Sequence, residues 1–261
     1  MDSINKNGLS VVIITKNEAH AIADCLQSVA WADEVIVVDS GSTDDTIKIC
    51  EQFGAKVTVT DSWPGFGQQK NSALALATKS WVLSIDADER VTPELQHEIQ
   101  QAVKSNAKAS YRMPRSSSYC GQFIQHSGWS PDYVTRLFRR GYAQFSNDLV
   151  HERILPEDAT LTLTSPLLHI SYINLEEVLD KINRYSTDGA TMSLSQGKTA
   201  TLGKAIRHGT WAFIRTYFIR LGFLDGKIGF VLAISNAETT YYRYLKLSLL
   251  NQEHKRKSAI K

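Results

Sequence analysis

The chain has 261 residues, of which 43% are hydrophobic and 21% charged, and its formal net charge is +2. This composition excludes collagen-like, disordered and disulfide-scaffold proteins. The length is sufficient for one large α/β domain with a sizeable core. A net charge this close to zero argues against a dedicated nucleic-acid-binding protein.

The charge is unevenly distributed along the chain. Residues 203–261 contain 11 Lys or Arg against three acidic residues, a local net charge of +8, so the rest of the chain carries −6. Three widely spaced cysteines (Cys25, Cys50 and Cys120) form no CxxC pair, which indicates a reducing compartment without zinc or disulfides. Residues 1–8 lack the apolar core of a signal peptide, and the apolar stretch 228–237 is too short to cross a bilayer, so we expect a cytoplasmic protein.

The first hundred residues alternate between strand and helix patterns. Apolar, β-branched runs predict buried strands, and the segments between them have helical spacing. The predicted strands are 9–15, 35–38, 56–60 and 81–85, and the predicted helices are 19–29, 47–53, 68–77 and 93–103. This alternation predicts a mostly parallel sheet.

From about residue 109 the pattern changes to short mixed segments, which predict short and partly antiparallel strands. Residues 174–194 and 203–250 are predicted as helices, separated by a break at Gly197 and Gly203.

Polar residues follow three of the predicted strands, at the sheet edge where α/β proteins bind ligands. They are Thr15, Lys16, Asn17 and Glu18; Asp39 to Asp44; and Asp86, Asp88 and Glu89. Two carboxylates as close as Asp86 and Asp88 would repel each other unless a cation joined them, and oxygen ligands select Mg²⁺ or Mn²⁺. The sequence therefore predicts a metal site for a diphosphate, the alternative being a solvated acidic turn that caps the next helix.

The segment VVDSGSTDD places Asp39 at a strand end before a turn of small residues. Its carboxylate could accept hydrogen bonds from a ribose or a uracil, while Ser42, Thr43 and Asp44 are suited to capping the following helix. No GxGxxG and no GxxxxGK[ST] motif follows the first strand, so neither a dinucleotide nor a triphosphate loop is indicated.

Four segments in the same order (TKNE, VVDSGSTDDT, QQKNSALALAT and SWVLSIDADERV) make the chain resemble the family 2 inverting glycosyltransferases, which have the GT-A fold. The segment WPGFGQQKN and the later elements GWSPDYVTRLFRR and VHE resemble a narrower group, the bacterial lipopolysaccharide-core β-1,4-glucosyltransferases. The resemblance implies an α/β GT-A domain over residues 1–200, with a donor half over about 9–105 and an acceptor half over about 106–200. Residues 201–261 would be a basic, helical C-terminal extension.

The resemblance also implies roles for individual residues. Thr15, Asn17 and Glu18 would border the nucleotide, Asp39 would bind the uridine, and the neighbouring Ser40 would belong to the donor site. Asp86 and Asp88 would hold the metal on the diphosphate, and Lys70 and Asn71 would border the nucleotide-sugar. Lys70 could instead only neutralise an acidic crevice.

Inverting transfer needs a carboxylate base that takes the proton of the acceptor hydroxyl. The segment NDLVHE offers Asp148, His151 and Glu152. We favour Glu152 over Asp148 as the base and expect His151 to face the metal or the diphosphate. The alternative is a solvated turn.

Two basic regions suggest partners. Arginines in the middle of the chain favour an acceptor that carries phosphate or carboxylate groups, although each arginine alone is better explained by a surface salt bridge. They are Arg112, Arg115, Arg136, Arg139 and Arg140. In WAFIRTYFIRLGFL and the residues before it, Lys204, Arg207, His208 and Arg215 share one arc of a helix, which is typical of a helix in an anionic membrane interface or of one packed on its domain.

The combined expectation is transfer of glucose from UDP-glucose, in β-linkage, to a heptose of the lipopolysaccharide inner core, with Mg²⁺ or Mn²⁺. The enzyme would lie on the inner face of the inner membrane as a peripheral protein and bind no nucleic acid. The alternatives are a related transferase for polyprenyl phosphate or another cell-surface glycan, and a non-catalytic module for anionic lipid or nucleic acid. A sugar nucleotidyltransferase is disfavoured by the missing triphosphate loop.

Overall fold

The computed structural model describes residues 8–146 and 153–259. Strands and helices alternate through the first part of the chain, short strands follow, and helices end it. The strands are β1 (Leu9–Thr15), β2 (Glu34–Asp39), β3 (Lys56–Val59), β4 (Trp81–Ser84), β5 (Glu89–Val91), β6 (Ala109–Tyr119), β7 (Gln122–Phe123), β8 (Tyr133–Arg139), β9 (Ala143–Phe145), β10 (Ile154–Pro156), β11 (Ala159–Thr162) and β12 (Leu167–Tyr172). The α-helices are α1 (Ile22–Ser28), α2 (Thr46–Gln52), α3 (Phe66–Leu76), α4 (Pro93–Ser105), α5 (Leu175–Ser195), α6 (Leu202–Ile214) and α7 (Gly226–Ala259).

The main sheet is mixed. Strands β3, β2, β1 and β4 are parallel neighbours in that order, and β8 then pairs antiparallel with both β4 and β6. The predicted α/β fold with a helical C-terminal region is confirmed. The sheet is parallel among β1 to β4 and mainly antiparallel beyond them, where the short segments after residue 109 were expected to be partly antiparallel.

The contact pattern divides the chain into two compact units. The first contains residues 1–115 and 132–169, and the second contains residues 116–131 and 170–261. The boundary near residue 200 was proposed from the sequence as a domain boundary, and it stays a prediction.

In the first unit the core is built from the two-sided apolar strands. β1 is buried along six of its seven residues, and Val11 and Leu83, which are partners in the β1–β4 pairing, are fully buried. α4 begins as Pro93 predicted, because the Thr92 hydroxyl accepts a hydrogen bond from the backbone N–H of Leu95 at 3.1 Å. Cys25 and Cys50 are buried without disulfides, as expected.

The second unit contains a helical hairpin, in which α6 packs against α7. The single helix predicted over 203–250 is wrong, because the chain leaves α6 through a π-helix (Arg215–Ile219) and a 3₁₀ turn (Gly222–Asp225) before α7 begins. The reversal is tight: a Cβ on Gly229 would lie 1.9 Å from the carbonyl oxygen of Gly222, so only glycine fits there.

A buried carboxylate fixes this reversal. Asp225 accepts hydrogen bonds from the backbone N–H of Gln125 (3.0 Å) and of His126 (3.1 Å) and from the Ser127 hydroxyl (2.9 Å). The break between α5 and α6 occurs where Gly197 and Gly203 predicted it. Within the described residues no helix is both long and apolar enough to span a membrane.

Candidate active site

The loops after β1 and β2 are joined by hydrogen bonds at the carboxyl end of the sheet. The Ser42 hydroxyl accepts from the backbone N–H of Asn17 at 2.8 Å, and the Asn17 side-chain oxygen accepts from the backbone N–H of Thr43 at 2.8 Å. The backbone N–H of Glu18 donates to the Thr46 hydroxyl at 2.8 Å. Asn17 has a φ of 57°, a left-handed conformation that asparagine tolerates better than most residues. The residues predicted to border the nucleotide therefore belong to one connected surface.

Asp39 organises this surface from beneath. It is fully buried, and its carboxylate accepts from the Thr15 hydroxyl at 2.8 Å and from the backbone N–H of Ser42 at 2.7 Å. Ser40 is also buried, and its hydroxyl accepts from the Gln69 side-chain amide at 3.0 Å. Asp44 accepts from the backbone N–H of Thr46, the first residue of α2, at 3.0 Å. The N-cap of α2 is Asp45, which makes no side-chain capping hydrogen bond, and Ser42 and Thr43 bond to Asn17 instead, so the predicted cap by Ser42, Thr43 and Asp44 is wrong.

A cluster of opposite charges lies directly after β4. Asp86 is bound on one carboxylate oxygen by the Lys70 ammonium at 2.8 Å and on the other by the Arg136 guanidinium at 2.6 Å. The same Nη2 of Arg136 donates to the Glu89 carboxylate at 2.6 Å, and Glu89 also accepts from the backbone N–H of Asp86 at 2.9 Å. Glu89, Lys70 and Arg136 are buried, whereas about a third of the Asp86 side chain is exposed. The two acids are thus neutralised by two cations of the chain itself.

These contacts move the two carboxyl pKa values in opposite directions. Burial acts to raise the pKa of Asp86, but Arg136 and Lys70 outweigh it and hold that pKa well below its usual range. Burial dominates at Glu89, where the neighbouring Asp86 charge adds to it, and the pKa of Glu89 is raised despite Arg136. The charges also hold the guanidinium pKa of Arg136 above its usual value, although burial opposes this.

Asp88 faces a different partner. β5 pairs antiparallel with β12, and this register sets His169 opposite Glu89. The His169 Nε2 lies 3.2 Å from the Asp88 carboxylate, and both side chains are partly exposed. A carboxylate oxygen and an imidazole nitrogen are ligands that Mn²⁺ accepts, and a cation of this kind normally keeps other positions for phosphate oxygens and water. The pair therefore fits a divalent ion as a two-ligand site. Within the described ranges no three His, Cys, Asp or Glu side chains are grouped to hold an ion without such help.

Asn71 anchors β9, the strand that precedes the predicted catalytic base in the sequence. Its side-chain amide donates to the carbonyl oxygen of Phe145 at 2.9 Å and accepts from the backbone N–H of Phe145 at 2.8 Å. Asp148, His151 and Glu152 come next in the chain and lie outside the described residues, so their roles stay predictions.

The five arginines of the middle segment do not share one role. Arg136 is buried against Asp86 and Glu89, so the interpretation as a surface salt bridge is wrong for it. Arg115 pairs with Asp132 at 2.7 Å and lies 3.7 Å from Glu89. The guanidinium of Arg112 lies over the ring of Tyr133. Arg139 similarly lies over Tyr142, and Arg140 is exposed.

Sequence reasoning missed His169 and the buried Glu89–Arg136 pair as parts of the site. A single sequence carries no signal for His169, because its contact with Asp88 joins residues 81 positions apart. The sequence did carry a signal for the Glu89–Arg136 pair. Both charged residues lie beside apolar runs, and a charged side chain that is buried with such a run needs a partner of opposite charge.

Comparison with known proteins identifies the family of the chain. The family model described as "Glycosyl transferase family 2" matches residues 10–160. An "Uncharacterized glycosyltransferase" of Rickettsia felis is 36% identical, covering 94% of this chain and 92% of its own length. The "Lipopolysaccharide core biosynthesis glycosyltransferase LpsC" of Rhizobium meliloti is 30% identical over 96% of this chain and 94% of its own length. Among solved structures, S. aureus TarS 1–349 in complex with UDP is 15% identical with a TM-score of 0.49, covering 94% of this chain and 91% of that one. The family match and the two relatives together establish that this chain belongs to glycosyl transferase family 2.

Proposed function

We propose that the chain transfers glucose from UDP-glucose, in β-linkage, to a heptose of the lipopolysaccharide inner core. The observation that carries the proposal is the group of Asp86, Asp88, Lys70, Arg136 and His169 at the carboxyl end of β4, in a chain of family 2. Similarity to LpsC, a lipopolysaccharide core biosynthesis glycosyltransferase that aligns with 96% of this chain, supports lipopolysaccharide core as the acceptor.

The donor would lie across the loops after β1, β2 and β4. The surface joined by Asn17, Glu18 and Ser42 would border the nucleotide. Asp39 would bind the uridine, and Thr15 and Ser40 would belong to the donor site, while their hydrogen bonds also support that surface from within. A Mg²⁺ or Mn²⁺ ion would be held by Asp88 and Asp86, as the resemblance implies, and by His169, and His151 would face the metal or the diphosphate. When bound, it would supply positive charge to the diphosphate of the leaving UDP.

The chemical step requires a base from the acceptor side. The carboxylate of Glu152 would take the proton of the acceptor hydroxyl while that oxygen attacks the anomeric carbon. The bond from the anomeric carbon to the UDP oxygen breaks on the opposite face, so the configuration inverts. Lys70 and Arg136 would keep Asp86 ionised and fixed in place throughout, because both cations contact its carboxylate.

The acceptor suggests where the enzyme works. Lipopolysaccharide core is lipid-linked, so the enzyme would act as a peripheral protein on the inner face of the inner membrane. Exposed arginines such as Arg140 would favour phosphate or acid-sugar groups on the acceptor.

The proposal is tested by isotope-labelled transfer from a panel of UDP-sugars onto truncated core acceptors that end in heptose, with and without EDTA. We expect UDP-glucose to be preferred, activity to disappear with EDTA and return with Mn²⁺ or Mg²⁺, and NMR of the product to show a β-linkage. Transfer to polyprenyl phosphate but not to core would contradict the acceptor, and undiminished transfer in EDTA would contradict the metal.

The base is tested separately. Glu152→Gln should lower the transfer rate by about 10² to 10⁴-fold, the usual contribution of a general base, while calorimetry shows unchanged UDP binding. Asp148→Asn is the matched control and should retain most of the rate. The reverse pattern would assign the base to Asp148.

A further inference from the structure

The helix α6 packs through small residues. Ala205, Gly209 and Ala212 are its buried positions, and they lie against α7. A Cβ on Gly209 would come within 3.0 Å of Tyr241 and 3.3 Å of the carbonyl oxygen of Ala237, so the helices approach closely there. A water-soluble helix normally buries its large apolar residues, and α6 buries small ones instead.

The large apolar residues of this segment point outward. Trp211 is 52% exposed, and Phe218, Ile219 and Leu224 are between 55% and 59% exposed. Others in residues 202–234 are also exposed, namely Leu202, Ile206, Ile214, Leu221, Phe223, Phe230 and Ile234. Singly exposed apolar residues are ordinary, but a concentration of this size marks a contact surface.

The exposed rings of Phe218, Phe223 and Phe230 are joined through the half-buried rings of Tyr217 and Phe213. The Tyr217 ring lies 5.1 Å from Phe218, 6.3 Å from Phe223 and 5.5 Å from Phe230, measured between ring centroids. Phe213 lies 5.7 Å from Phe230 on the same side. The reversal between α6 and α7 therefore presents one connected aromatic surface.

Basic residues accompany this surface. Residues 202–230 contain five cations, Lys204, Arg207, Arg215, Arg220 and Lys227. The single acidic residue of this range, Asp225, is buried and accepts hydrogen bonds from residues 125–127. In the part of the chain that the structure describes, none of these five cations forms an ion pair with a carboxylate. Their charge is thus not compensated by any of the described carboxylates.

We propose that this surface, formed by α6, the π-helix, the 3₁₀ turn and the first turns of α7, docks on an anionic lipid bilayer, with the reversal at residues 217–224 inserted among the headgroups. Apolar side chains combined with cations on a short helix are the properties of interfacial anchors. A second copy of the chain is a poorer occupant, because it would bring the same uncompensated positive charges together. The role of the surface, access to a lipid-linked acceptor, rests on the function proposed above.

Sedimentation with vesicles tests the docking directly. The full chain should bind vesicles containing phosphatidylglycerol at least tenfold better than pure phosphatidylcholine vesicles, and added salt should weaken the binding. Ile219→Ser with Leu224→Ser should reduce binding at least tenfold. The matched control, Leu179→Ser with Met192→Ser, removes equally exposed apolar residues from α5 and should change it less than twofold.

Two further measurements separate the outcomes. The fluorescence of Trp211, isolated as the difference from Trp211→Phe, should shift to shorter wavelength on anionic vesicles. The proposal would be overturned if the two double variants bound vesicles equally well. It would also be overturned if the wild type formed an oligomer that Ile219→Ser with Leu224→Ser dissociates. Transfer to a water-soluble truncated acceptor should be unchanged in this variant, so loss of docking is distinguishable from failure of the proposed reaction.

Discussion

The strands β1 to β4 and the hairpin of α6 and α7 distribute their apolar residues in opposite ways. In the sheet, Val11 and Leu83 are fully buried and polar side chains are collected at the strand ends. In the hairpin, Ala205 and Gly209 are buried, while Phe218 and Leu224 are more than half exposed. The sheet is arranged as a protein core in water, and the hairpin has the arrangement expected when another apolar phase lies beside it.

The charges follow the same division. Two acids at the candidate site of the first unit, Asp86 and Glu89, are neutralised by Lys70 and Arg136 at hydrogen-bond distance. The cations of the hairpin, such as Arg215 and Lys227, have no acid partner among the described residues. At the candidate site the charges are balanced by side chains of the same unit, whereas the hairpin cations have no carboxylate partner among the described residues, as the proposed docking requires.

The largest expected effect tests whether the first unit carries the chemistry. Asp88→Ala should lower the transfer rate by about a hundredfold or more, because it removes a carboxylate that would hold the divalent ion at the leaving diphosphate. Circular dichroism and thermal unfolding should be unchanged, since Asp88 is partly exposed. Asp24→Ala, which removes an exposed carboxylate from α1, is the control and should keep full activity. Most activity remaining in Asp88→Ala would show that the metal assignment is wrong.

The contrast also explains how much the sequence could predict. β1, β2 and β4 were located to within a residue or two because their apolar runs follow from burial in their own core. Asp86 and Asp88 were located for the same reason, since each lies directly beyond such a run. The family was recognised from four ordered motifs in this region.

The rest depends on contacts that one sequence does not specify. The pairing of β5 with β12 brings His169 to Asp88, and no local pattern encodes that register. The helix predicted over 203–250 failed because its apolar periodicity continues through the π-helix and the 3₁₀ turn. The interruption depends on Gly222 and Gly229 meeting and on Asp225 binding residues 125–127.

The second effect concerns the internal charge balance. Arg136→Leu should lower the free energy of unfolding by about 3–5 kcal/mol, because it removes the guanidinium that contacts the buried Glu89 and leaves Asp86 with Lys70 alone. Arg139→Leu should cost less than about 1 kcal/mol, since Arg139 contacts the Tyr142 ring near the surface. Urea unfolding of both variants measures the difference, and equal losses would show that the buried network is not what stabilises this end of the sheet.

The third effect compares the two apolar distributions directly. Leu83→Ala should lower the free energy of unfolding by about 2–5 kcal/mol, because a fully buried leucine leaves a cavity. Leu224→Ser should change it by less than about 0.5 kcal/mol, because that side chain is 56% exposed. A large loss for Leu224→Ser in urea unfolding, without lipid, would mean that the hairpin's outer residues stabilise the protein itself, and the comparison would fail.

The smallest effect is a pH dependence located in the first unit. Glu34 begins β2, and its carboxylate accepts hydrogen bonds from Ser10 and Thr78. It also forms an ion pair with the Lys56 ammonium at 2.9 Å. Burial acts to raise its pKa, but these partners outweigh burial and lower the pKa to about 2. Because the folded-state pKa lies below the unfolded value, the stabilisation is complete above the unfolded pKa and is lost as the pH falls toward 2.

The ionised Glu34 carboxylate should contribute about 1–2 kcal/mol to the free energy of unfolding, since the exposed Lys56 ammonium is screened by solvent. Glu34→Gln should therefore be less stable than the wild type at pH 7, and the difference should shrink steadily between pH 5 and pH 2 in urea unfolding. Glu51→Gln, on the exposed side of α2, should parallel the wild type at every pH. If Glu34→Gln also paralleled it, the acid sensitivity of the first unit would have to arise at another carboxylate, and Asp86, whose pKa is lowered as well, would be the next to test.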